Sequence, residues 1–281
     1  MLSLIFESAQ GHHGLEDVRV AIACSHVCQF WRNVALHTAS LWTNIELRHT
    51  GCEIFADRSL ILPIRLTIDD NSDNTGPYQG AYYRRVRPTW LHRHSSRVQI
   101  VSLRGPRQTL ENVMSCLGTE LSALLSLQVA FTSRGHRHGI FQLHAPNLRQ
   151  HAPNLQQLNL CAVRMDLNEC GDLTHLSLER GGIPAMEFVS LLRRSHRLRG
   201  LSLVNLTLER WHEVAHNWVV DLVDLEMLRL ERIGNKTKEY LMARLHIPGS
   251  APLFTGLQNM PMDAATSRRP MAVYSKSLQI W

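Results

Sequence analysis

One spacing governs this chain: apolar-x-x-apolar-x-apolar, found eight times between residues 42 and 230. It appears at Trp42-x-x-Ile45-x-Leu47, Pro63-x-x-Leu66-x-Ile68, Val98-x-x-Val101-x-Leu103 and Leu124-x-x-Leu127-x-Val129. It continues at Leu155-x-x-Leu158-x-Leu160, Leu173-x-x-Leu176-x-Leu178, Leu198-x-x-Leu201-x-Leu203 and Leu225-x-x-Leu228-x-Leu230. Side chains two apart on a strand share a face, so each unit predicts a short strand with one apolar side. No such segment covers its own leucines. Burying each is worth roughly 1.5–3 kcal/mol, gained only when neighbouring units stack.

The last apolar positions, 47, 68, 103, 129, 160, 178, 203 and 230, lie 21, 35, 26, 31, 18, 25 and 27 residues apart. Leucine-rich repeats run roughly 20–29 residues, so residues 49–246 read as an irregular leucine-rich-repeat array. The separation of 35 contains Asp69-Asp70-Asn71-Ser72-Asp73-Asn74-Thr75-Gly76-Pro77, a polar turn-forming run. The separation of 31 contains a tandem duplication, His144-Ala145-Pro146-Asn147-Leu148-Arg149-Gln150 followed by His151-Ala152-Pro153-Asn154-Leu155-Gln156-Gln157. Taking one seven-residue copy out leaves 24, so the extra copy is read as absorbed in a loop. Helices are expected between strands at Pro184 to Leu192, with Pro near the first turn, and around Trp211 to Trp218.

Residues 1–48 read as helices. Leu2, Leu4, Ile5 and Phe6 open a first one that Gly11 and Gly14 end. Cys24, Val27, Cys28, Trp31, Val34 and Ala35 then follow helical spacing on a single face. From 247 to 281 the breakers Pro248, Gly249, Pro252, Pro261 and Pro270 interrupt scattered apolar residues, which predicts a loosely ordered tail. The expected fold class is therefore α/β: a short N-terminal helical segment followed by an irregular leucine-rich-repeat solenoid.

Hydrophobic residues make up 44% of the chain and charged residues 19%, a globular balance. Without an export signal the six cysteines read as reduced thiols, and no run is long enough for a membrane span. The expected location is cytoplasmic or nuclear, with no membrane association. Cys24 and Cys28 have no second ligand pair nearby and read as small apolar core residues. The pairs His12-His13, His92-x-His94 and His136-x-His138 lack a matching Cys or carboxylate and read as surface histidines. No Gly-x-Ser-x-Gly elbow, phosphate-cradling Gly-rich loop or HExxH helix occurs. The expectation is a non-enzyme with no catalytic residue, cofactor or metal.

Charge is uneven. Between 74 and 110 stand seven arginines (84, 85, 87, 93, 97, 104 and 107) and no acid. This stretch suits either a solvated face or an acidic or nucleic-acid partner. Tyr82, Tyr83 and Trp90 lie among these arginines, as a stacking platform would require.

Cys24 to Leu47, with Val27-Cys28, Trp31-Arg32 and Leu41-Trp42-x-x-Ile45, resembles the second half of the F-box-like segment of mushroom-type fungal proteins. That family's pattern places proline where Ala39 stands here. Leu2-Ser3-Leu4-Ile5-Phe6 resembles its first helix; the Leu-Pro-x-Glu lead-in has no counterpart, and the segment is read as N-terminally truncated. The resemblance implies docking on a Skp-type adaptor of a cullin–RING (SCF-type) ubiquitin ligase, with an unknown protein substrate held by the C-terminal part. By position it implies that Leu2, Ile5, Phe6, Val27, Cys28 and Trp31 face the adaptor. Two other readings stand beside it: a free-standing repeat scaffold without ligase docking, and an acidic-partner or nucleic-acid binder using 74–110.

Overall fold

In the computed structural model the described residues are 1–12, 18–47, 51–70, 88–117, 120–132, 139–143, 148–210, 218–249 and 251–255. Helices α1 (Leu2–His12), α2 (Val18–Val27) and α3 (Gln29–His37) come first. Strands β1 (Asn44–Glu46), β2 (Ile64–Asp69), β3 (Val98–Gly105), β4 (Ser126–Phe131) and the short β5 (Phe141–Gln142) follow. Then come β6 (Gln157–Cys161), β7 (Val163–Arg164), β8 (His175–Pro184) and β9 (Gly200–Glu209). The chain continues through β10 (Val220–Asp221), β11 (Met227–Glu231), β12 (Leu245–His246) and β13 (Leu253–Thr255).

Nine of these strands form one sheet in the order β1-β2-β3-β4-β6-β8-β9-β11-β13, and every pairing in it is parallel. The register aligns the apolar units of the sequence. Ile45, Leu66, Val101, Leu127, Leu158, Leu176, Leu201 and Leu228 form one continuous row across the sheet. Ile68, Leu103, Val129, Leu160, Leu178, Leu203 and Leu230 form the next. All fifteen are buried. Each strand gains its burial from its neighbours, as the spacing requires.

The chain is α/β, but the expected irregular leucine-rich-repeat solenoid is corrected to an α/β fold on one central nine-stranded parallel sheet. The apolar units report strands with one buried face; they say nothing of what joins them. The connections are unlike one another. Helix α4 (Cys52–Arg58) joins β1 to β2, α5 (Pro88–His94) precedes β3, and α6 (Arg107–Cys116) follows it. The four-residue α7 (Leu148–His151) precedes β6, and β6 reaches β8 through β7 and a single 3-10 turn. Helix α8 (Ala185–Arg194) joins β8 to β9, and α9 (Asn235–Met242) follows β11. No common unit recurs along the described chain. The pairs β5–β7 and β10–β12 are separate two-stranded sheets.

Helix α8 lies where the sequence places it. Pro184 precedes its first turn, where a missing N–H costs nothing, and Phe188, Leu191 and Leu192 are buried. The duplicated heptad departs from expectation. Its first half, 144–147, lies outside the described residues, yet Leu148 and Ala152 are buried beside Leu155. The extra copy thus contributes core contacts instead of hanging in a loop. The helix expected around 211–218 lies outside the described residues except for Trp218, which is buried. Of the expected tail, Leu253–Thr255 adds the ninth strand on β11, and 256–281 lie outside the described residues.

One backbone device recurs along the sheet: Ala162 and Arg232 directly follow the ends of β6 and β11, while Arg180 and Asn205 interrupt β8 and β9 midway, both strands pairing again beyond them. Ala162, Arg180, Asn205 and Arg232 each stand two residues past a buried leucine, with φ of 54°, 56°, 50° and 53°. This left-handed conformation turns the chain sharply after Leu160, Leu178, Leu203 and Leu230. It costs a non-glycine residue roughly 1–2 kcal/mol, and Asn205 is the residue type that tolerates it best.

Candidate partner-binding surfaces

The N-terminal helices sit on the first edge of the sheet through Trp42. Its indole is fully buried, donates from Nε1 to the Ala35 carbonyl at 2.9 Å and stacks with Phe55 at 5.2 Å between ring centroids. The Arg58 guanidinium lies 4.6 Å from the Trp42 ring. Ile45, three residues on, is also fully buried. Helix α1 is tied down by Phe6, whose ring centroid is 5.0 Å from that of Trp31. Gln10 Nε2 donates to the Leu41 carbonyl at 3.2 Å, and the Ser40 hydroxyl donates to the Glu7 carboxylate.

The single helical face expected over Cys24 to Ala35 is corrected. Helix α2 ends at Val27, and Cys28 is extended (φ −155°, ψ 170°) as the N-cap of α3. Its Sγ accepts from the Trp31 amide at 3.4 Å. A residue fixed as a cap cannot continue a helical stripe, so Val27 and Cys28 swing out of line with Trp31. Cys24 is buried as expected of a small core residue; Cys28 is exposed and is not one.

The six expected partner-facing residues therefore divide. Ile5, Val27 and Cys28 are exposed, Leu2 and Trp31 are half-buried, and Phe6 is buried at 1% exposure. Phe6 holds α1 against α3 and has no surface to offer a partner. Leu4 and Phe30, not among the six, are exposed at 65% and 68%, and Met1 is exposed too. The helical spacing of Leu4 and Ile5 hid this, because with Phe6 buried both neighbours must point outward. Met1, Leu4, Ile5, Val27 and Phe30 are thus exposed large apolar side chains on or beside the three N-terminal helices.

The second surface is the sheet face opposite the leucine rows. Across the first eight strands its middle row runs Glu46, Thr67, Ser102, Gln128, Asn159, Ser177, Ser202 and Arg229 in register, and the exposed Phe254 of β13 follows Arg229 on the ninth. All eight are half-buried. The Ser102 hydroxyl donates to Gln128 Oε1 at 3.4 Å, and Arg229 bonds Glu231 at 2.8 Å and 2.9 Å. One flanking row contains Arg65, Gln157 and His175; the other contains Asp69, Arg104, Cys161 and Glu179. A side chain on Gly200 would come within 2.7 Å of His175 Cδ2, so glycine there leaves room for the imidazole. Burial first, and then Glu179 beside it, pushes the Cys161 thiol up to about 11, so this cysteine is not a nucleophile at neutral pH.

Within the basic stretch Arg97 is committed inside the protein, while Arg93 and Arg107 are exposed. Arg97 donates to the carbonyls of Leu60, Leu62 and Ala56 and to the Ser59 hydroxyl, holding the turn after α4. Arg107 pairs with Glu111 at 2.9 Å. Tyr82, Tyr83, Arg84, Arg85 and Arg87 lie outside the described residues, and Trp90 is buried, so it is no stacking platform. His94 is half-buried against Arg97 and Asp57, not a surface histidine, while His92 is exposed. His13, His136 and His138 lie outside the described residues. Among the described residues no group of three or more His, Cys, Asp or Glu is placed to hold a metal ion.

No protein-family model matches the chain, and no curated protein matches it. No described helix is long and apolar enough to cross a membrane.

Proposed function

We propose that this chain is a substrate-recognition adaptor of a cullin–RING (SCF-type) ubiquitin ligase and performs no catalysis itself. The N-terminal helices dock a Skp-type adaptor, and the polar face of the sheet receives a protein substrate. The observation that carries this reading is the split of the N-terminal apolar residues. Phe6 and Trp31 hold α1 against α3 and Trp42 joins the helices to the sheet edge, while Leu4, Ile5, Val27 and Phe30 remain exposed. The F-box-like residues Val27-Cys28, Trp31-Arg32 and Leu41-Trp42 fall within this same unit.

Co-purification with a recombinant fungal Skp-type adaptor tests the proposal. Exposed positions serve best, because Trp31 also packs on Phe6 and its loss would disturb the fold. The chain is expected to retain the adaptor, and Ile5→Glu with Val27→Glu is expected to lose it while unfolding at an unchanged urea midpoint. Failure of the unaltered chain to bind, or equal binding by the double variant, contradicts the reading.

A further inference from the structure

We propose that the outer edge of β13 is a strand-docking site and that Leu278-Gln279-Ile280 of the same chain fills it, pairing in parallel as a further strand. The inference stands apart from the adaptor reading. The order of the sheet ends at β13, and among the described residues no strand pairs with its far edge. Such an edge offers unpaired N–H and C=O groups to any strand that reaches it. Its leucine is uncovered as well. Leu176, Leu201, Leu228 and Leu253 stand in register; the first three are buried at 2% exposure or less, whereas Leu253 is 46% exposed and Phe254 beside it 51%. Each of the first three has a neighbouring strand on both sides, and Leu253 has one on a single side.

Spacing selects the occupant. Along that leucine row the step is 25 residues from Leu176 to Leu201, 27 to Leu228 and 25 to Leu253, and 25 more lead to Leu278. Leu278-Gln279-Ile280 alternates apolar, polar and apolar, as Leu201-Ser202-Leu203 and Leu228-Arg229-Leu230 do. In that register Leu278 covers Leu253, and Gln279 continues the polar row beside Phe254. The 22 residues between Thr255 and Leu278 match the 22 between Leu230 and Leu253, which include α9 and deliver a parallel strand. A parallel crossover needs roughly a dozen. Two other triplets have the apolar spacing. Met260-Pro261-Met262 has no N–H at its proline for the ladder. Met271-Ala272-Val273 comes after a step of 18 and offers alanine where every strand from β1 to β11 in the sheet sets a polar residue. Filled by its own chain, the edge is closed to strands of other chains.

Cysteine pairing in the whole chain tests this. Parallel neighbours lie ~4.8 Å apart, within the roughly 4.4–6.8 Å between Cα atoms that a disulfide spans. Phe254→Cys with Gln279→Cys, mildly oxidised and read by peptide mass spectrometry, is expected to link 254 to 279 within one chain. Mixing isotope-labelled and unlabelled chains separates that link from one between chains. Phe254→Cys with Ala272→Cys should link about tenfold less or worse under the same conditions. Adding Leu278→Asp and Ile280→Asp to the first pair, with the urea midpoint of the sheet unchanged, should cut its link about tenfold or more. No link at 279, preferential linking at 272, or a 254–279 link indifferent to the two aspartates overturns the proposal. Links formed chiefly between chains overturn it too, and make a second copy the occupant of the edge.

Discussion

Replacing Trp42 with Ala should uncouple the N-terminal helices from the sheet. The indole is fully buried between Ala35 of α3 and Phe55 of α4. Truncating a buried Trp to Ala costs roughly 3–5 kcal/mol, and the Ala35 carbonyl is left without its donor. That is a large part of the roughly 5–15 kcal/mol that holds a folded domain. Trp42→Phe keeps most of the apolar volume and loses the N–H, so it should cost about 2 kcal/mol. Urea denaturation gives the totals, and hydrogen exchange locates the damage. Amides of α1 to α3 should lose protection in Trp42→Ala at urea concentrations where β3 to β9 keep theirs. A cost below about 1 kcal/mol, or equal loss across helices and sheet, would refute the placement of Trp42 as the joint.

Three further expectations are open to simple assays. Arg180→Gly and Arg232→Gly remove the left-handed strain at φ 56° and 53° and should raise stability by up to about 1 kcal/mol each in urea melts. Iodoacetamide at pH 8, read by peptide mass spectrometry, should label exposed Cys28 first. Cys161, at about 11, is roughly one-thousandth thiolate there and should resist until the protein unfolds. Burial, reinforced by Arg97, holds His94 below the ordinary imidazole value, and burial does the same to His175 against the pull of Glu226. The unfolded chain then binds protons that the folded chain refuses as pH falls through about 6.5. Stability should be fully present above that pH and decline below it, with a shallower decline in His94→Asn.

The strands were legible because their signal is local. A leucine two positions from another on the same side of a strand is visible in one dimension, and all eight apolar units lie on or beside strands of the main sheet. The connections were not legible, since eight- to ten-residue helices such as α6, α8 and α9 and bare turns can both fill the gap between strands. The expected solenoid failed on those connections. The break at Cys28 was hidden because Cys24, Val27, Trp31 and Ala35 keep helical spacing across it, and a cysteine is an unusual N-cap. Phe6 was assigned outward and lies inward, because an apolar run Leu4-Ile5-Phe6 does not say which member finds the core. The uncharged part of the open-face row, Thr67 to Ser202, was invisible for a different reason. Its members are 25 to 35 residues apart or as near as 18, and only the register of the sheet brings them side by side.

The most direct test of the adaptor proposal is a titration of the chain with a purified Skp-type adaptor, followed by calorimetry. The account predicts saturable one-to-one binding that Phe30→Ser and Ile5→Ser each weaken about tenfold or more, while Asn159→Lys on the sheet face leaves it unchanged. Binding that ignores Phe30 and Ile5, or no heat at any adaptor concentration, would contradict it.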